Sequence, residues 1–158
     1  MAIDPEDLLS LARANVRAAS YYIARTHIPC PHCGTVTPLI AVALPPTHET
    51  LDEESDEWQS VPANAFLYYL EAVSSTVHAY LRRAAPNFRF ASYWANHCEH
   101  CERILGDDQA HGEPGCGFTP TGEDEAADII LTEVPEPFEA FAAGYSLEPE
   151  FFARMRRR

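Results

Sequence analysis

Apolar side chains recur at Leu8, Ala12, Val16, Ala19 and Ile23, at spacings of four, four, three and four. This period lays one stripe along a helix and predicts one from Asp4 to about Arg25, buried by plain core packing. Asp4 suits the N-cap, Pro5 the first helical position and Asp7 the acid of a capping box. Thr35 to Leu44 is rich in Val, Ile, Thr and Leu and is halted by Pro45-Pro46, which predicts a strand. Phe66, Leu70, Val73, Val77 and Leu81 return to helical spacing and predict a central core helix over about 60–85. Ser60 and Pro62 would open it, Pro86 would end it, and Tyr68, Tyr69 and Tyr80 would broaden its buried face.

Phe88, Phe90, Ser92 and Trp94 alternate with Arg89, Ala91 and Tyr93, the period of a strand. Gly106 to Gly122 holds five glycines and two prolines and is read as turns and loop. A short strand is expected over Asp128 to Val134. Pro137 to Tyr145 and Ser146 to Arg156 read as two short helices, whose terminal arginines would face the negative end of a helix dipole. Between the first strand and the core helix, Glu49 to Glu57 carries six acids in nine residues, which reads as a solvated loop.

The 158 residues are 46% hydrophobic and 22% charged, the composition of one globular domain, 1–158. The opening Met1-Ala2-Ile3-Asp4 lacks the positive and then apolar pattern of a secretory signal. The longest apolar run, Pro38 to Leu44, is too short to span a bilayer. A cytoplasmic protein with no membrane association is expected, and in a reducing compartment five cysteines, an odd number, point to metal rather than to disulfides.

Cys30-Pro31-His32-Cys33-Gly34 and Cys98-Glu99-His100-Cys101 are two C-x-x-C hooks. Cys30, Cys33, Cys98 and Cys101 together supply the four thiolates of a closed structural zinc site, so one Zn²⁺ is expected. Gly34 suits the left-handed turn that aims amides at sulfur, whereas Glu102 holds the matching place in the second hook and predicts a less regular turn. On these residues the chain resembles the zinc-ribbon group, in which two such knuckles clasp one zinc. The resemblance covers about 27–44 and 88–105 and implies an α+β fold: an antiparallel zinc ribbon, a long helical insertion at about 60–85 between its knuckles, and short C-terminal helices. Trp94-Ala95-Asn96-His97-Cys98-Glu99-His100-Cys101 with Gly106-Asp107 is also similar to uncharacterised bacterial zinc-ribbon proteins, a likeness that implies no activity.

Parts of the two hooks also match other chemistries. Cys-Pro-His-Cys is similar to the motif of thioredoxin-like oxidoreductases, but Gly34 to Pro38 is a poor helix start. Pro29-Cys30-x-x-Cys33 and His97-Cys98-Glu99 are the two halves of a zinc deaminase signature in reversed order. His27, His32, His97, His100 and His111 lie near the hooks as spare ligands or bases, and Cys116 between two glycines is a candidate nucleophile or a spare thiol.

The net charge is -13, lysine is absent, and all 11 basic residues are arginine. No segment of the chain is positive overall, so a nucleic-acid partner is disfavoured, although Arg82-Arg83 with Arg89 and Arg154 to Arg158 form small basic patches. The expected function is therefore a non-enzymatic, zinc-stabilised acidic adaptor or immunity-like inhibitor that binds a basic protein through Asp52, Glu53, Glu54, Asp56 and Glu57. A nucleic-acid or transcription-associated ribbon is the alternative, followed by a zinc hydrolase or thiol redox enzyme.

Overall fold

A computed structural model describes residues 14–52, 54–91, 93–105, 118, 122–147 and 152–158. The expected α+β ribbon with a helical insertion is not what these residues form. They build one large mixed sheet of twelve strands, with two helices. The strands are β1 (Val16–Ala18), β2 (Tyr21–Pro29), β3 (Val36–Leu44), β4 (His48–Asp52), β5 (Glu57–Val61), β6 (Ala65–Val73), β7 (Phe88–Phe90), β8 (Trp94–His97), β9 (Ile104–Leu105), β10 (Ile130–Val134), β11 (Phe138–Leu147) and β12 (Arg156–Arg157). The helices are α1 (Ser75–Ala84) and α2 (Glu123–Ala127). The main strand order is β12-β10-β2-β3-β6-β11-β1-β4-β5, with β8 pairing β6, β7 and β9. All pairs are antiparallel except β10 with β12.

The centre of the sheet is covered on both faces, which decides how its sequence reads. Along β3, Ile40, Val42 and Leu44 join one core with Tyr21, Ile23, Leu70, Val77, Leu81 and Trp94. Leu39, Ala41 and Ala43 join the other, with Ile28, Phe66, Phe118, Phe152 and Met155. Burial on both sides produces the continuous apolar run expected of such a strand, and β3 stands where the sequence placed it.

The helix expected over Asp4 to Arg25 is replaced, from Val16 on, by β1 and most of β2; residues 4–13 of that expectation lie outside those described. Val16 and Ile23 share one core but reach it from two strands, so their helical spacing was a coincidence of a strand, a bend and a second strand. Within β2 the true period is two: Tyr21 and Ile23 face one core, Ala24 and Ile28 the other.

The core helix expected over 60–85 shrinks to α1, capped by the Ser74 hydroxyl, which accepts a hydrogen bond from Val77 N–H at 3.4 Å. Val77 and Leu81 are its buried residues. The first half of that segment is β5 and β6. On β6, Ala72 pairs Phe141 while Leu70 pairs Ala142, so Glu71 is an extra residue, a β-bulge. The bulge puts Leu70 and Val73 three residues apart on one face and so imitates a helical period in a strand.

The acidic segment 49–57 is a hairpin of β4 and β5 rather than a loop. Helix is also absent from 137–145: Phe138, Ala140 and Ala142 point into the core in alternation along β11. Its small residues meet a steric demand, since a Cβ on Gly144 would lie 2.6 Å from Tyr68 Cβ on the neighbouring strand. Of 146–156, the described part ends β11, makes one 3₁₀ turn at Phe152–Arg154 and enters β12, so Arg154 closes that single turn while Arg156 and Arg157 belong to a strand. The single strand expected from the alternation of Phe88 to Trp94 is instead a hairpin of β7 and β8, with Phe90 pairing Trp94; β10 falls where a strand was expected, and most of the glycine-rich 106–122 lies outside the described residues. Among the described residues no helix is long and apolar enough to cross a membrane.

Candidate metal centre

Both C-x-x-C hooks are the turns of antiparallel hairpins, the first joining β2 to β3 and the second joining β8 to β9. Local backbone bonding is the same in each. Cys30 N–H donates to Thr35 O at 2.9 Å and Gly34 N–H to Cys30 O at 2.8 Å. Cys98 N–H donates to Arg103 O and Glu102 N–H to Cys98 O, both at 2.9 Å. Gly34 has φ 78° and Glu102 φ 63°, so the second knuckle takes the same left-handed turn despite its side chain. The less regular second turn anticipated from Glu102 is not found. In each hook the amide two residues after the first cysteine is aimed at its sulfur: His32 N–H donates to Cys30 Sγ and His100 N–H to Cys98 Sγ, each at 3.4 Å.

The two hooks meet face to face. Cys30 Sγ is 3.8 Å from Cys101 Sγ, Cys33 Sγ is 3.7 Å from Cys98 Sγ, and all four sulfurs lie within 4.8 Å of one another. Cys30 and Cys98 are buried, Cys101 is half-buried and Cys33 is exposed. Four such cysteines could hold a metal ion. No histidine nitrogen belongs to this group among the described residues. His27 and His32 are exposed, His97 Nδ1 is 3.1 Å from Ala95 O, and His100 Nε2 is 3.3 Å from Val36 O and from Glu99 Oε1. His111 and Cys116 lie outside the described residues.

Crowding four thiols divides their acidities. Cys98 is pulled down to about 6, chiefly by the Cys101 backbone N–H. Burial opposes ionisation of Cys30, but the Cys33 and His32 backbone amides outweigh it and hold that thiol below its usual range. At Cys101 the Arg103 backbone N–H favours the thiolate, while burial and hydrogen bonds to Cys98, Cys30 and Cys33 overcome it and push the thiol up to about 11. Amides thus prepare part of the set as thiolate, and a cation is what would allow all four to ionise together.

Two residues that the sequence reading passed over hold the hooks in register. Thr37, fully buried at the start of β3, accepts a hydrogen bond from Glu99 N–H at 3.1 Å. Asn96, buried on β8, accepts from Ile40 N–H at 2.8 Å and donates to Ile40 O at 2.9 Å, so one amide stands in for a strand neighbour. The available signal was a lone amide two residues before Cys98, directly after the apolar Trp94 and Ala95.

Cys33 leads into β3, not into a helix, so the first hook lacks the helix N-terminus that activates a thioredoxin-type thiol. The expected partner residues form the tip of the β4–β5 hairpin. Glu54, Asp56 and Glu57 are exposed there, and Glu53 lies outside the described residues. Asp52 is partly committed to the turn, its carboxylate accepting from Glu54 N–H at 3.0 Å and from Gln59 Nε2 at 3.4 Å. Comparison with protein-family models, curated proteins and solved structures finds no match to this chain.

Proposed function

We propose that Cys30, Cys33, Cys98 and Cys101 hold one structural zinc ion, and that the chain is a non-enzymatic, cytoplasmic adaptor or inhibitor offering its acidic β4–β5 hairpin to a basic protein. Zinc is favoured by the donor set: tetrahedral Zn–S bonds of about 2.3 Å imply sulfur separations of about 3.8 Å, and the two cross-hook pairs lie at 3.8 and 3.7 Å. Four protein thiolates leave no open position for substrate, which supports a structural role.

The partner reading is carried by one observation, the exposed Glu54, Asp56 and Glu57 at the tip of a hairpin on a chain of net charge -13. Such a tip lowers the potential seen by an approaching cation and speeds encounter with a basic surface. A poly-arginine peptide titrated into the protein tests this. Binding that weakens with salt and is lost in Glu54→Gln/Glu57→Gln is expected; unchanged binding in that variant would overturn the hairpin as the recognition surface.

A further inference from the structure

Every exposed strand edge is a row of backbone groups able to pair with another chain, and charged side chains are one means of preventing this. Among the described residues the main sheet ends in two such edges, since there β5 pairs only with β4 and β12 only with β10. Their charges are opposite. The β5 end carries exposed Glu54, Asp56 and Glu57. The β12 end carries exposed Arg156, Arg157 and Arg158, within a chain whose remaining charge is strongly acidic.

The arginine edge is assembled by register. Ile130 of β10 pairs with Arg25 on one side and Arg156 on the other, which brings Arg25 and Arg156 to one face of the sheet. Arg25 Nη1 donates to Thr132 Oγ1 at 3.0 Å, and Arg157 sits over the rings of Phe152 and Tyr22 at 4.9 and 5.3 Å. Arg156 and Arg158 have no ion pair among the described residues, although Glu133 lines the same surface depression as Arg157 and Arg158.

Charges of this kind protect each edge from its own type: β5 repels β5 and β12 repels β12. The unlike combination is attractive. We infer that the basic surface recognised by the acidic hairpin is the β12 edge of a second copy of this chain, in a head-to-tail pairing. This rests on the proposed role of the hairpin and names its partner. Because the two edges differ, the contact is heterologous and repeats, giving chains of copies unless the geometry closes a ring. The net charge of -13 opposes accumulation of copies, so the pairing is expected to be weak and concentration-dependent.

Charge exchange tests the inference by sedimentation equilibrium on the full chain. The unmodified protein should rise in mean mass from the 17.6 kDa monomer with concentration. Arg156→Glu/Arg158→Glu and Glu54→Arg/Glu57→Arg should each remain monomeric. Their equimolar mixture should associate, because each retains the edge the other needs. Circular dichroism of each variant establishes that it is folded. A monomeric unmodified protein, association that survives in either variant, or a mixture that stays monomeric would each overturn the pairing. If the monomeric unmodified protein still binds a poly-arginine peptide through Glu54 and Glu57, self-pairing fails while the acidic-hairpin reading stands.

Discussion

The Asn96 side chain pairs with the backbone of Ile40 as a neighbouring strand would, accepting from its N–H and donating to its carbonyl. This contact ties the hairpin bearing Cys98 and Cys101 to β3, which leaves the knuckle bearing Cys30 and Cys33. Both Ile40 and Asn96 are buried, so neither backbone group can turn to water if the amide is removed. Asn96→Leu should therefore cost about 2–4 kcal/mol, from two orphaned groups at roughly 1–3 kcal/mol each partly offset by apolar burial. Asn96→Asp should be at least as damaging, because a carboxylate cannot donate to Ile40 O. Urea unfolding with an unchanged slope measures both.

Metal analysis should give one zinc ion per chain. Cys98→Ser should lose the ion and much of the thermal stability, since binding free energy here is folding free energy. Cys116→Ser should keep both. A fully folded Cys98→Ser protein, with the melting temperature of the unmodified chain, would show that the hooks contribute nothing to stability.

The Glu102 turn offers a stabilising change. Its φ of 63° strains an L side chain, at about 1–2 kcal/mol, whereas glycine adopts it freely but loses more entropy on folding. Glu102→Gly should gain about 0.5–1 kcal/mol, and Gly34→Ala, at φ 78°, should lose a similar amount. Opposite signs in chemical denaturation of the zinc-loaded proteins would establish that the two knuckles share one backbone geometry.

His48 supplies a dependence on pH. It is fully buried, with Nδ1 2.7 Å from Pro45 O and Nε2 hydrogen-bonded to the Tyr145 hydroxyl. Burial holds its pKa below the usual 6.5, although the Pro45 carbonyl favours the charged form. The unfolded chain therefore binds this proton more readily, and stability falls as pH drops from the unfolded value to the lowered folded one, then levels off below it. His48→Gln should remove this part of the slope. Subtracting the variant's stability curve from that of the unmodified protein isolates it from the cysteines.

The metal centre was legible because ligand chemistry is local: each C-x-x-C hook places two sulfurs within a single turn, whatever surrounds it. The strand β3 was legible because Leu39 to Leu44 is apolar on both faces. Most of the remaining fold was hidden by long-range pairing. Glu71 is bulged by its partner strand β11, which shifts Leu70 and Val73 onto helical spacing. The alanines of β11 favour helix intrinsically, yet tight packing against β6, including Gly144 on Tyr68, selects strand. Asn96 stood in the phrase around the second hook and Thr37 in the run of β3, but neither role was readable, because what they satisfy is the backbone of another element.

The place of β11 has a consequence for a chain made from its N-terminus. In the strand order, β11 lies between β6 and β1 and pairs with both. Until residues 138–147 emerge from the ribosome, β1, β4 and β5 can pair with one another, and β2, β3 and β6 likewise, with no ladder between the two groups among the described residues. Both cysteine hooks belong to the second group and are complete once Cys101 has been synthesised, so the ion can be captured by half a sheet. The acidic hairpin is already held at its base, where Leu44 of β3 pairs with Ala65 of β6 and Thr47 N–H donates to Val61 O at 2.7 Å; what β11 adds is the ladder that ties β1 to that half. A chain terminated at residue 137 should accordingly retain zinc while the backbone amides of β1 lose protection from hydrogen exchange, separating capture of the metal from completion of the sheet.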